Sequence, residues 1–278
     1  AMEYVDWLST QVLQTVQRAG QQLQPGSIDY FQGSTNFAIN RRGRVNGIVQ
    51  MVPWFEGAVD DRLQVLLFKD ESSTPVALGM RMACHPTTVG SQHQITSDFV
   101  GAWRSAMHDA LGPNLTPFFL QGCCGDSRPR ASVNATRDGF RRVSLDELAG
   151  LGKQLCHDTM TTLLRGSSRR LASLRLAASI CPVTASFHAQ VTDAKSLEQF
   201  VAPDEFTKHY YPDAIRKRLS RSEPIPQSAT WHVQTLWLDD ELALIALDTE
   251  PVGALARWLE KAVHPLDAIV LGYTNGCL

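Results

Sequence analysis

The apolar run Phe118-Phe119-Leu120 passes through Gln121 straight into Gly122-Cys123-Cys124-Gly125-Asp126-Ser127-Arg128-Pro129-Arg130. That abrupt change constrains the fold more than any other feature of the chain. Residues like Phe118–Leu120 form a buried strand, and the glycines that follow let backbone pass close to whatever lies at the strand's end. In α/β proteins, ligands bind outside the carboxyl ends of the strands. The same change occurs where Met80–Cys84 runs into His85-Pro86-Thr87-Thr88, and where Leu242–Leu247 runs into Asp248-Thr249-Glu250-Pro251. Strand ends of this kind predict a sheet edge that carries chemistry.

The rest of the pattern supplies the scaffold. Val5, Leu8, Val12 and Val16 recur at helical spacing and predict an amphipathic helix over 3–22. Residues 27–39 read as a strand running into a basic turn, Asn40–Arg44. Residues 62–69 and 75–84 read as a hairpin around Asp70–Ser73, and 97–111 as a helix burying Phe99, Trp103, Met107 and Ala110. A strand over 116–121 follows. Ser144-Leu145-Asp146-Glu147 is a capping box opening a helix to about Leu164. Residues 171–190 read as one long strand and 192–222 as a charged, Tyr-rich helical excursion. A second hairpin spans 229–238 and 241–248 around Asp239-Asp240. Pro251 is read as the first residue of a helix carrying Val252, Leu255 and Leu259, and 267–272 as the last strand. Hairpins mixed with strand–helix alternation predict an α/β fold with mixed β-sheets layered with helices. Without an internal repeat or linker, residues 1–278 read as a single domain. The strand over 267–272 is followed at once by a turn signal and the chain's end, so the domain is expected to be incomplete.

A formal net charge of −2 gives no electrostatic footprint for nucleic acid or an anionic membrane surface. No apolar run nears the ~20 residues of a transmembrane segment. No signal peptide is visible, which leaves the compartment open. Cys84, Cys123, Cys124, Cys156, Cys181 and Cys277 lack CxxC spacing and read as buried, reduced thiols.

Pro86 restricts His85 to extended backbone, which fixes the direction of the imidazole. A rigid imidazole at a strand end suits a metal ligand, a general base or a hydrogen-bonded structural role. Asp248 or Thr249 is sufficient to cap the following helix, which leaves Glu250 available as a ligand. His and carboxylate from separate strand ends are consistent with zinc, although a catalytic site needs three protein ligands. Arg41, Arg128 and Arg130 also follow strands and suit a carboxylate or phosphate; Arg42 and Arg44 read as solvated turn residues.

In order and spacing these blocks resemble the neutral/alkaline non-lysosomal ceramidase family. The matching pieces are Asn40-Arg41, Ala83-Cys84-His85-Pro86-Thr87, Ser97-Asp98-Phe99-Val100-Gly101, Gln121 through Pro129, Asp248-Thr249-Glu250 and Gly272-Tyr273-Thr274-Asn275. The resemblance implies a zinc-dependent amidase acting on a lipid-like amide, with His85 and Glu250 as metal ligands. It implies Arg41 and Asp126 as catalytic residues and Asn40, Ser127 and Arg128 as substrate contacts. The family's first zinc histidine lies upstream of anything matched here, and its zinc tyrosine lies beyond Leu278. The chain is therefore expected to be incomplete at both ends and to hold zinc weakly. Arg128 stands where the family has a serine, which points the substrate away from ceramide. The competing reading is a non-catalytic module that keeps the fold and binds a ligand or partner.

Overall fold

The chain opens with helix α1 (Met2–Gln21), whose Val5, Leu8, Val12 and Val16 remain exposed. Strands β1 (Gly26–Ser34), β2 (Ala38–Val45), β3 (Ile48–Trp54), β4 (Arg62–Asp70) and β5 (Pro75–Met82) follow. Next come α2 (Asp98–Leu111), β6 (Thr116–Gln121), β7 (Ser127–Pro129), α3 (Leu145–Arg165), β8 (Ser167–Arg170) and β9 (Ala177–Ser186). The last part holds α4 (Ala194–Glu198), α5 (Glu205–Ser220), β10 (Ser228–Trp237), β11 (Leu242–Leu247), α6 (Gly253–Val263) and β12 (Asp267–Leu271). This computed structural model describes residues 2–90, 95–171, 175–186, 191, 193–199 and 205–276.

Strand β4 decides the layering, because it is buried on both faces. Leu63, Val65 and Leu67 join an apolar cluster with Phe99, Trp103 and Met107 of α2 and Leu148, Leu151 and Leu155 of α3. Leu66, one residue out of phase, joins Ile28, Leu242, Ala246 and Ile269 on the other side. The layers thus run from α2 and α3, through the sheet β6-β5-β4-β1-β8, to the sheet β12-β11-β10-β9. Helix α6 covers the far side through Ala256, Leu255 and Leu259 packed on Ile245, Leu247 and Val270. A small sheet, β3-β2-β7, completes the fold. Both large sheets are mixed: β5 pairs parallel with β6 and β11 parallel with β12, and the other pairs are antiparallel. No described helix is long and apolar enough to cross a membrane.

Several boundaries differ from the sequence reading. The strand over 27–39 is two strands. Between them Thr35 donates to Asp158 at 2.7 Å and accepts from the Phe37 amide at 3.2 Å, a local side-chain bond that competes with the ladder. Asn40–Arg44 is not a turn but the middle of β2, paired along β3, with Asn40 also opposite Ser127 of β7. The turn is Asn46-Gly47, both at positive φ, the usual chemistry of a two-residue hairpin. The long strand over 171–190 divides into β8 and β9, which belong to different sheets; 172–174 and 187–190 lie outside the described residues. The excursion over 192–222 contains α4 and α5, with 192 and 200–204 outside the described residues. Ala110 is exposed, so the buried stripe of α2 ends at Met107. Pro251 precedes α6 rather than starting it, because its carbonyl accepts the Gly125 amide at 2.9 Å. The hairpins β4–β5 and β10–β11, helix α2 and the capping box at Ser144 stand as read from the sequence.

Candidate functional site

The two parallel pairs bring their carboxyl ends to one edge. An antiparallel bridge between Gly122 and Leu271 joins the end of β6 to the end of β12. Backbone bonds then hold the emerging segments together: Gly122 to Met82 at 3.0 Å, Gly272 to Gln121 at 3.0 Å, and Tyr273 to Thr249 at 2.9 Å. Gly125 packs so closely on the β11 segment that a Cβ there would stand 2.9 Å from the Glu250 carbonyl. This close approach is what the glycine permits. The turn after His85 is braced by buried Asp98, whose carboxylate accepts the Thr88 and Val89 amides at 2.9 and 3.3 Å.

At this edge the Nε2 of His85 lies 2.8 Å from Oε1 of Glu250. Arg41 Nη2 donates to the same oxygen at 2.8 Å and to the Gly125 carbonyl at 3.0 Å. The Tyr273 hydroxyl stands 2.9 Å from His85 Nε2, and the Cys124 thiol donates to it at 3.6 Å. Arg41 is buried, whereas the side chains of His85 and Glu250 are 21% and 39% exposed, so the cluster opens to solvent. A cleft of about 1000 Å³ lies elsewhere, at the opening ends of β5 and β6, lined by Leu23, Ile28, Phe68 and Val76.

Burial, reinforced by the Arg41 charge, lowers the pKa of His85 against the upward pull of Glu250, so the imidazole is neutral near pH 7. Burial raises the Glu250 carboxyl, but the bond with His85, the nearby Tyr273 hydroxyl and the Arg41 charge outweigh it, and Glu250 stays ionised. Burial first, then the neighbouring Cys124 and Glu250, drive the Tyr273 phenol far above its ordinary value, so it remains a donor. Burial pushes the thiols of Cys123 and Cys124 up to about 12, which makes them inert at neutral pH.

His85, Glu250 and Arg41, read from the sequence as site residues, meet here. The others make contacts outside this cluster of four. Asn40 is buried, bonded to the Ala58 carbonyl and the Arg42 amide. Ser127 is buried and donates to the Ala83 carbonyl at 2.8 Å. Asp126 accepts the Gly253 amide at 2.9 Å, at the start of α6, and burial raises its pKa. Arg128 is half-buried, with Nη2 on the Thr87 carbonyl at 2.9 Å. Arg42, expected to be solvated, instead donates to the Gly125 carbonyl at 3.2 Å. The sequence reading did not place Tyr273 in the cluster. Its signal was the same as His85's, a polar residue just past an apolar strand, and its positive φ aims the side chain back at the edge. Among the described residues, no group of three or more His, Cys, Asp and Glu converges as a metal site.

The backbone of the chain superposes on neutral ceramidase from Pseudomonas aeruginosa with a TM-score of 0.65 over 96% of this chain and 48% of that one. The fold is ceramidase-like. A ceramidase solved in complex with C2 gives 0.62 over 92% of this chain and 48% of its own. Sequence identity is 15% to each, and the chain spans about half their length. No protein-family model matches the sequence, and no curated protein does.

Proposed function

We propose that this edge is the working face of a zinc-dependent amide hydrolase. The observation that carries the reading is the meeting of His85 Nε2, Glu250 Oε1, Tyr273 Oη and Arg41 within hydrogen-bond reach at the ends of separate strands. The ceramidase-like fold supports it. A neutral imidazole nitrogen and a carboxylate oxygen that face one point are the donor types zinc takes. His85 and Glu250 would hold the ion, with Tyr273 as the adjacent oxygen. Two or three donors, fewer than the four of a closed site, fit a weakly held ion. When bound, zinc supplies Lewis acidity, polarising an amide carbonyl and acidifying water.

The chain's own groups do the rest. Arg41, anchored on the Gly125 carbonyl, orients Glu250 and keeps it charged. His85, neutral near pH 7, is held in place at Nε2 by Glu250 and Tyr273. Tyr273, protonated at any physiological pH, donates a hydrogen bond to developing negative charge. The mutual hydrogen bonds among these side chains keep them in place between turnovers.

The test is hydrolysis of fluorogenic N-acyl amides with and without added Zn²⁺, alongside His85→Ala and Glu250→Gln. Zinc-dependent release of the acyl group that both variants abolish is expected. Turnover that persists under chelator, or in either variant, refutes the reading. Zinc binding without turnover turns the assignment to a non-catalytic binding module, a reading favoured by the direct contact between the two would-be ligands.

A further inference from the structure

We propose that Arg128 anchors an anion subsite beside His85 and Glu250, so that this edge takes an amide bearing a carboxylate or phosphate in preference to a neutral lipid amide. The inference rests on the hydrolase reading for its meaning and on Arg128's surroundings for its evidence. Strand β7 pairs Arg128 with Ile39 of β2, next to the Asn40-Arg41 segment. From there its side chain reaches the turn after His85, where Nη2 donates to the Thr87 carbonyl at 2.9 Å. The guanidinium lies 4.3 Å over the Phe140 ring, which fixes its plane. It is close enough to lower the pKa of His85.

Among the described residues this guanidinium has no counter-ion. Its Nε is buried with no hydrogen-bond partner, and so is Thr87 Oγ1 on the same turn. Among the described residues no carboxylate pairs with Arg128, and those of the neighbouring segments are already engaged. Asp98 accepts the Thr88, Val89 and Phe99 amides, Asp126 accepts the Gly253 amide, and Glu250 is taken by Arg41 and His85. Arg42, on the other side of Arg41, also bonds a carbonyl rather than a carboxylate. A half-buried guanidinium without an anion is costly to the empty protein. An incoming oxyanion recovers that cost, and the planar fork suits carboxylate and phosphate alike.

The experiment measures binding to the full chain by calorimetry, with chelator present, for soluble probes sharing one acyl amide. N-hexanoylglycine carries a carboxylate, N-hexanoylphosphoethanolamine a phosphate, and N-hexanoylethanolamine no charge. At least one anionic probe is expected to bind about tenfold or more tighter than the neutral one, from a single charge-assisted bond. The carboxylate and phosphate arms then identify the group. Arg128→Ala should erase the preference and Arg128→Lys should restore part of it. Equal binding of all probes, binding of none, or an unchanged preference in Arg128→Ala overturns the proposal. Should the variants fail to fold, the wild-type preference must still fall between 50 and 500 mM salt, and a salt-independent preference overturns it. Because zinc is absent, a failure of hydrolysis leaves this result standing. Zinc-dependent hydrolysis with no anion preference sinks the subsite alone.

Discussion

Asp60→Asn should destabilise the protein severely, because Asp60 neutralises a guanidinium that water does not reach. The side chains of Asp60 and Arg81 are both 0% exposed, with Arg81 Nη2 2.7 Å from Asp60 Oδ2. Arg62, itself paired with Glu260, grips Asp60 from the other side with Nε and Nη2 at 2.6 and 2.7 Å. The asparagine fills the same space but removes the negative charge and turns an amide N–H₂ toward one of the guanidiniums. Arg62 keeps Glu260; Arg81 keeps only the Val270 carbonyl at 3.1 Å. Removing one partner of a buried pair costs about 3–5 kcal/mol, which for a chain of this size lowers Tm by on the order of 10 °C. In an Arg81→Met background the same substitution leaves no uncompensated buried cation, so its cost should fall by at least ~1.5 kcal/mol. Urea unfolding followed by circular dichroism at pH 7 measures each corner of the cycle. The pair also has a pH signature. Asp60's folded pKa lies well below its ordinary value, the opposing guanidiniums overcoming the effect of burial. Its contribution is therefore complete above about pH 4 and is lost as the pH falls further, and Asp60→Asn should flatten that acid limb. A loss under about 1 kcal/mol, or the same loss with and without Arg81, refutes the reasoning. Arg81 joins β5 to β12, the strands that lead to His85 and Tyr273, so the variant should also loosen the site.

In chelated protein, the His85 ring should titrate below the ordinary histidine value in NMR, and Glu250→Gln should move it lower still by removing the opposing carboxylate. An upward move would contradict the electrostatics described above. Because that folded pKa is depressed, His85 costs stability as the pH falls below about 6.5 toward its folded value. Ser144→Ala removes the hydroxyl that accepts the Glu147 amide and should cost about 0.5–2 kcal/mol in urea unfolding, with no change in the His85 resonances. Gly152→Ala would push a Cβ to 2.4 Å from Ala102 backbone where α3 crosses α2, and should cost about 1–3 kcal/mol by the same measurement. A neutral effect there would mean that the helices separate freely.

The residues that end up at the site were legible wherever a local pattern forced their placement. The apolar runs before His85 and Glu250 could only be buried strands, and Pro86 fixed how the chain leaves the first of them. The i, i+4, i+8 stripe Phe99, Trp103, Met107 and the capping box at Ser144 specified α2 and α3, because helix faces and caps depend on neighbours within a few residues. Tertiary structure decided what depends on distant segments. The pairing of β2 with β3, and of its start with β7, turned Asn40–Arg44 from an apparent loop into a strand, and a run of polar residues carries no local sign of that pairing. The bridge between Gly122 and Leu271 brought Tyr273 to His85 across 188 residues of sequence. Ser127, Asp126 and Asn40 look chemical in sequence, yet each is bonded to a backbone group contributed by another segment, and only the fold shows which polar groups have been claimed. Charge followed the same division. The sequence supplies the arginines and carboxylates, but which of them find each other is set by packing, and among the described residues that packing leaves Arg128 without a carboxylate.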